Sequence, residues 1–536
     1  MTTPLLAEAD YVIVGAGSAG SLIAAELARS GRASVVLVEA GPKDRNPLLS
    51  VPLLTGWFLR TGAYTWPYVT EPQRHLDGRR IDWPRGKVVG GSGAINGMVW
   101  ARGLPSDYDH WAQTGLRDWS WEKVAPIFEE LEAIPAAGGT GKALGIEKPS
   151  WWTGLYDAYL EGAAEAGLGR SADFNGPRPE GAGRYVFNIR GGRRASTGKL
   201  LKALPAGSNL TVLDSTETLR VEITDGRASG LLVRRGGVDG LVRARKEIVL
   251  CAGTVGSPRI LLSSGIGPAD ELQAAGVTPV LDRREVGRNL QDHLLVRVEH
   301  VALKPGGLND LLRVDRAGLA LLQALALGTG PASCFPLLVG GFFKSEPGLE
   351  EPDLQSHFMP ALSSATIRVN PFRAPPGARE EDGFFANICQ MRPHSRGTIK
   401  LSGPDPLAPP LIDPNYLSAE TDRRVLRAGV RVLRRIFAAS AFDGWRGAEL
   451  SPGVSLQDDD ALDAWIRSTA ASVFHPTGTC RMGADDAAVV DSDLRVRGIA
   501  GLRVADASVM PAITSANTNA PTVMIARRAA TALLAG

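Results

Sequence analysis

Tyr11-Val-Ile-Val14-Gly15-Ala-Gly17-Ser18-Ala19-Gly20 decides how the chain is read. An apolar run of four residues passes straight into Gly-x-Gly-x-x-Gly. The run has the pattern of a strand buried on both faces. Residues 21–30 carry Leu22, Ile23, Ala25, Leu27 and Ala28 at helical spacing, and Gly31 ends the pattern. Val35-Val-Leu-Val38 reads as a second strand closed by Glu39, 19 residues past Gly20. Strand, tight turn, helix and strand make one βαβ unit. Gly15 suits the turn, Gly17 the close approach of a pyrophosphate, and Gly20 the packing of helix on strand. Ser18 and Ala19 open the helix, whose first N–H groups face the phosphates. Glu39 is placed to accept hydrogen bonds from ribose hydroxyls, and its charge repels a 2′-phosphate. The competing reading is a glycine-rich turn without a ligand. The fingerprint alone does not separate NAD from FAD.

Around this unit the chain is long and ordinary in composition. Its 536 residues exceed one core, so two or more packed units are expected. With 44% hydrophobic and 22% charged residues, a disordered chain is excluded. The 62 glycines follow no Gly-X-Y period, which excludes collagen. A formal net charge of +2 gives no reason to expect nucleic acid or an anionic membrane as partner. Cys251, Cys334, Cys389 and Cys480 form no CxxC, which fits core thiols or a reducing compartment. The histidines show no ligand spacing, so no metal is expected. Residues 1–10 lack a basic and apolar leader, and the most apolar stretch, 317–327, is too short to span a bilayer. A soluble, cytoplasmic protein is expected.

Further along, residues 128–134 and 156–167 read as helices. Residues 210–213, 219–223 and 230–234 read as two or three antiparallel strands around an Asp225-Gly226 turn. A buried strand is expected at 247–250 and a helix at 257–263. Strand-like runs at 295–301, 384–390 and 397–401 alternate with Pro/Gly loops. Helices are expected at 423–437, 459–468 and 522–534, and a strand at 502–505.

A second glycine-rich stretch, Gly86-Lys-Val-Val89-Gly-Gly-Ser92-Gly-Ala-Ile95-Asn96-Gly97, lets backbone N–H groups approach an anion or a flat ring. The apolar residues after it, Met98, Val99 and Trp100, argue against a loose surface loop. Further motifs follow in order: 253–267 (GTVGSPRILLSSGIG), 286–293 (VGRNLQDH), 475–483 (HPTGTCRMG) and 504–522 (VADASVMPAITSANTNAPT). Together these stretches resemble the glucose-methanol-choline (GMC) oxidoreductases, FAD enzymes that act on alcohols. The resemblance runs essentially end to end.

The resemblance implies an α/β fold, α+β overall. A Rossmann-like FAD domain (1–155, 200–295 and 465–536) is interleaved with a substrate domain on an antiparallel sheet (156–199 and 296–464). It implies that Val89, Ser92, Asn96, Gly97 and Met98 line the flavin, that Thr218 lies at the adenine, and that Asp506 and Ala507 approach the pyrophosphate and ribityl chain. His475 takes the position of the catalytic base, and Asn519 the second active-site position, where other members have His. Asn519 also reads as a turn residue or helix cap, and Asp292 and His293 as loop braces. Some members attach FAD through a His just before the Asn of the first pattern; here that residue is Ile95, so FAD is expected to be held non-covalently. Gly93 stands where Ser is commoner.

The implied reaction is oxidation of an alcohol, with oxygen or a quinone-type acceptor taking the electrons. The expected substrate walls are Phe335, Phe342, Phe343, Phe358 and Trp100. They favour a neutral primary alcohol, with aromatic and furanic ones among the candidates. Two alternatives stay open: a non-redox lyase of hydroxynitrile-lyase type on the same fold, and a nicotinamide dehydrogenase or plain nucleotide-binding module built on the opening unit.

Overall fold

A computed structural model describes residues 3–135, 142–365 and 381–535. The opening strand spans Leu5–Val14, the helix after it Ser18–Ser30 and the second strand Val35–Val38. The helix starts at the fingerprint because Gly17 and Gly20 carry no side chain there. A Cβ on Gly20 would lie 2.0 Å from the carbonyl oxygen of Gly15, so only glycine lets the helix return against the turn. Gly31, at φ 66°, ends it in the left-handed conformation.

Five parallel strands form the core of a seven-stranded sheet. Across the sheet they run Leu210–Leu213, Val35–Val38, Leu5–Val14, Val238–Leu250, with Leu502–Val504 pairing on Val238–Leu250. The strand order is that of a doubly wound Rossmann sheet. The registers Val14↔Val38, Val38↔Leu213, Val14↔Leu250 and Leu250↔Val504 bring all five carboxyl ends to one edge. Two antiparallel strands, Arg227–Arg235 and Thr216–Thr224, extend the sheet beyond Val238–Leu250. The sequence reading grouped 210–213 with these antiparallel strands. It instead pairs in parallel with Val35–Val38, a partner some 170 residues away that no local pattern reveals. The last helix, Asn519–Ala535, packs against Ser18–Ser30 through small buried residues of both.

The second sheet is antiparallel throughout. Its order is Arg446–Ser451, Leu294–Ala302, Gly383–Gln390, Leu354–Met359, Val339–Phe343, Gly181–Arg184. The helix Glu420–Ala438 lies on one face, burying Leu426, Val430, Leu433 and Phe437. Side chains alternate across a strand. Val296, Val298, Phe384, Ala386 and Ile388 join this core, while Leu295, Arg297, Asn387 and His357 face a cavity on the other side. Among the described residues, no helix is long and apolar enough to cross a membrane, and no group of His, Cys, Asp or Glu is arranged to hold a metal.

Candidate active site

The cavity, about 510 Å³, runs from the carboxyl edge of the parallel sheet to the polar face of the antiparallel one. At the sheet edge it is lined by Gly15, Gly17, Ser18, Ala19 and Glu39. The helix Ser18–Ser30 has Gly17 as its N-cap and no side-chain cap, so its first N–H groups are available to an anion. Glu39 is buried. Its two oxygens accept from the backbone N–H of Ala16 and of Gly41, each at 2.7 Å. Burial pushes its pKa up to about 7, against those two N–H donors. Thr218 lines the same end, and its buried Oγ1 has no partner among the described residues.

The second glycine stretch lies directly on the first. Gly91 sits at φ 53°, and a Cβ there would come within 2.6 Å of Gly17 Cα. Ser92, Asn96, Gly97 and Met98 line the cavity. Ser92 Oγ accepts from Gly86 N–H at 3.1 Å. Asn96 Oδ1 accepts from Met98 N–H at 3.0 Å and from Arg194 Nη1 at 2.7 Å. Arg194 is buried and touches only neutral acceptors here, including Thr55 Oγ1 at 2.6 Å; burial lowers its pKa to about 9. Val89 is a correction. Its side chain packs in the core of the parallel sheet, its N–H donates to Pro42 O, and it does not line the cavity. Gly20 also stays off the wall and serves helix packing. A side chain at Gly93 would meet Ser18 Oγ at 2.8 Å.

Asp506 and Ala507 reach the cavity from the end of Leu502–Val504. The Asp506 carboxylate accepts from Gly253 N–H at 2.8 Å, Ser257 Oγ at 2.6 Å and Ser508 N–H at 2.8 Å. It thereby joins two motifs about 250 residues apart. The free helix N-terminus, the glycine faces, the orphaned Thr218 hydroxyl and the Glu39 carboxyl together suit a dinucleotide.

His475 lies at the junction of the two sheets. Its backbone N–H donates to Asp292 Oδ1 at 2.8 Å, and Asp292 also accepts from Ser472 Oγ at 2.5 Å and from the Tyr416 hydroxyl. Asp292 therefore braces the loop, and burial raises its pKa to about 6. The ring of His475 has a partner at each nitrogen: Nδ1 is 3.0 Å from His293 Nδ1, and Nε2 is 3.1 Å from Asn517 Nδ2. The far nitrogen of His293, Nε2, is 2.9 Å from Met391 O.

These contacts settle the tautomers. A carbonyl only accepts, so His293 carries its proton on Nε2. Burial lowers the His293 pKa to about 4, so the ring is neutral and its Nδ1 is bare. The proton between the two rings then belongs to His475 Nδ1. His475 Nε2 is left bare and accepts from the Asn517 amide. Burial, with His293, His357 and Arg85 nearby, holds the His475 pKa well below its ordinary value. The ring thus stands as a neutral base facing the cavity.

Asn519, expected beside His475, lines the same cavity but has its side chain bonded to Ser18 rather than to His475. Its Oδ1 accepts from Ser18 Oγ at 2.7 Å, on the fingerprint helix. Asn517 takes the place next to His475, held by Gln355 Nε2 donating to its Oδ1 at 3.0 Å. The reason is the helix start: Asn519 is the first residue of Asn519–Ala535 and its side chain bonds the neighbouring helix, whereas Asn517 precedes it in the non-helical segment. The aromatic walls need a similar correction. Phe335 lines the cavity, but Trp100, Phe342, Phe343 and Phe358 are at most 1% exposed and pack in cores. Sequence reading passed over Arg297, Asn387, His357 and Asn517. The Asn-x-Asn spacing was the one available signal for the last of these.

The chain matches family models described as GMC oxidoreductase over residues 9–295 and 393–526. It is 38% identical to an oxygen-dependent choline dehydrogenase of Brucella anthropi over 534 residues, 98% of this chain and 96% of that one. It resembles the solved structure of pyridoxine 4-oxidase from Mesorbium loti, with 32% identity, a TM-score of 0.85 and coverage of 98% and 99%. The fold also matches formate oxidase of Aspergillus oryzae at 24% identity and a TM-score of 0.89, covering 100% of this chain and 99% of that one.

Proposed function

The chain belongs to the GMC oxidoreductases, FAD-dependent enzymes that oxidise alcohols, and on that premise we propose that it oxidises a primary alcohol to the aldehyde with His475 as base and Asn517 as its partner. The observation that carries this is the bare Nε2 of His475, set by the His293 and Met391 contacts and facing the cavity. A neutral imidazole nitrogen there takes the hydroxyl proton of the substrate. The Asn517 amide, oriented by Gln355, donates to the substrate oxygen as negative charge develops on it. FAD, when bound, supplies the hydride acceptor, and an external acceptor, oxygen or a quinone, then takes the electrons.

For the cofactor, Glu39 and the Ser18–Ser30 N-terminus suit the ribose and pyrophosphate, with Thr218 at the adenine end and Ser92, Asn96, Gly97 and Met98 at the flavin. Ile95 offers no nucleophile, so FAD is held non-covalently. Residues 1–155, 200–295 and 465–536 hold it, and 156–199 and 296–464 face the substrate. Asn519 ties the fingerprint helix to the carboxy-terminal helix rather than touching the reacting atoms. The lyase alternative finds no support among the relatives named above, which are oxidases or a dehydrogenase.

The test is an anaerobic visible spectrum with a panel of primary alcohols. At least one is expected to bleach the flavin in a single turnover. A flavin that stays oxidised with every alcohol would overturn the reading.

A further inference from the structure

The wall across from the fingerprint carries a cation that no described carboxylate pairs. Arg297 lies on Leu294–Ala302, opposite Asn387 on Gly383–Gln390, and Asn387 lies opposite His357 on Leu354–Met359. The three side chains form a row across the sheet on its cavity face. Arg297 Nε donates to Asn387 Oδ1 at 2.9 Å, and the guanidinium rests over the Phe385 ring at 4.2 Å.

Its terminal nitrogens make no ion pair with any described carboxylate. The acid two residues on, Glu299, is engaged by Ser363, through its N–H and Oγ. The acids that do line the cavity belong to its other end. Glu39 is held by Ala16 and Gly41, Asp506 by Gly253, Ser257 and Ser508, and Glu217 lies 3.7 Å from Lys87. A largely buried guanidinium without a carboxylate is costly unless a ligand completes it. Burial depresses the Arg297 pKa, and the charge of Glu299, which makes no ion pair with it, opposes this only in part.

We propose that Arg297 is a specificity-determining residue and that the substrate is a primary alcohol bearing a carboxylate, which Arg297 binds while the hydroxymethyl end lies at His475 and Asn517. The inference rests on the oxidation reading above and names its substrate class. Guanidinium binds carboxylate through two parallel hydrogen bonds, and the terminal nitrogens of Arg297 are free for them. Adjacent strands lie about 4.8 Å apart, so Arg297 and His357, two strands apart, are separated by roughly 10 Å at the backbone. His357 is hydrogen-bonded to Asn517 and lies near His475, so that spacing approximates the span from Arg297 to the reacting end and suits a short or single-ring hydroxy acid. A quaternary ammonium group would meet Arg297 and Leu295 here, on a stretch of the cavity wall that no described acid lines. In this the wall departs from what the choline dehydrogenase relatives' named substrate requires.

The experiment uses the holoenzyme, with 4-(hydroxymethyl)benzoate, its methyl ester and choline as probes. Binding is read from the perturbed flavin spectrum and oxidation from anaerobic bleaching. The acid is expected to bind about 10–100-fold more tightly than the ester, and choline to bind more weakly than either. In Arg297→Gln the ratio of acid to ester affinity should fall to near one, and Arg297→Lys should keep part of it, since the charge stays while the fork is lost. Bound FAD in each variant reports folding. If Arg297→Gln does not fold, the wild-type ratio still decides. A ratio of one or less in wild type, or a preference that survives Arg297→Gln, overturns the inference and leaves the oxidation reading standing. If no alcohol bleaches the flavin while the acid still binds through Arg297, the anion site stands and the oxidation reading falls.

Discussion

At His475 two hydrogen bonds determine which nitrogen carries the proton. Nδ1 is committed to His293, and Nε2, the unprotonated nitrogen, accepts from the Asn517 amide, the place a substrate hydroxyl would take. His475→Ala is expected to keep the yellow cofactor and to slow flavin reduction by about 10²–10⁴-fold, read by stopped-flow. Because the His475 pKa lies well below its ordinary value, the wild-type reduction rate should be flat at neutral pH. It should fall only as pH drops through a pKa below 6.5, where the ring gains a proton and cannot accept another. His475→Ala should lack this acidic limb; an identical limb in both proteins would assign the base elsewhere. His293 acts through His475 as a positioning residue. His293→Phe removes the acceptor that fixes the tautomer, so the plateau rate should fall by about 10-fold or more with little change in substrate affinity. His293→Asn, whose side-chain oxygen can accept the same proton, should recover part of the rate. A loss shared equally by Phe and Asn would point to packing instead.

Within the opening strand-helix-strand unit, Glu39 connects titration to cofactor affinity. Its carboxyl is pushed up to about 7 by burial. Below that pH it is protonated and has lost acceptor capacity toward a ribose. Above it, both oxygens accept. FAD affinity of the apoprotein should therefore rise with pH through about 7, and Glu39→Gln should bind FAD weakly with no such rise. Isothermal titration between acid and alkaline buffers reads this directly, and a parallel rise in Glu39→Gln would exclude Glu39 as the cause. Glu39→Ala should weaken binding by roughly 1.5–3 kcal/mol. At the neighbouring glycine stretch, Ile95 is buried with Leu49, Phe58 and Val88. Acid denaturation is expected to release all the flavin into the supernatant, and flavin retained on the precipitated chain would refute non-covalent attachment.

Across the whole molecule, the cavity is closed by segments from both ends of the chain. Ser18 bonds Asn519, Asp506 bonds Gly253 and Ser257, and Asp292 bonds the His475 segment. A ligand that touches all of them binds the native state alone and stabilises it as a unit. With FAD at about 100 times its dissociation constant the gain is roughly 2.7 kcal/mol. For a chain this long that corresponds to a rise in Tm of about 2–3 °C. Calorimetry of the apoprotein with and without FAD checks it. A separate early transition that FAD leaves unmoved would show that one of the two sheets unfolds independently of the cofactor.

The sequence by itself determined the features whose causes are local. The strand at Tyr11–Val14, the glycine turn, the helix and Glu39 are legible because a tight turn needs glycine at set positions and the βαβ spacing is short. The same holds for the amphipathic helix Glu420–Ala438, whose apolar stripe repeats at helical spacing. His475 stood out through the resemblance that its motif carries. The tertiary structure alone decided what depends on partners far along the chain. Leu210–Leu213 became parallel because its neighbour is Val35–Val38. Asn517 rather than Asn519 faces His475 because Gln355 and Ser18, from distant elements, claim one asparagine each. Trp100, Phe342, Phe343 and Phe358 went into cores, since an aromatic side chain carries no mark of which face its strand will bury. Arg297, Asn387 and His357 became one surface only when three strands from residues 294 to 390 paired in register. Strand pairing is a long-range choice set by the burial of whole faces, and a cavity wall built across strands cannot be read from any one of them.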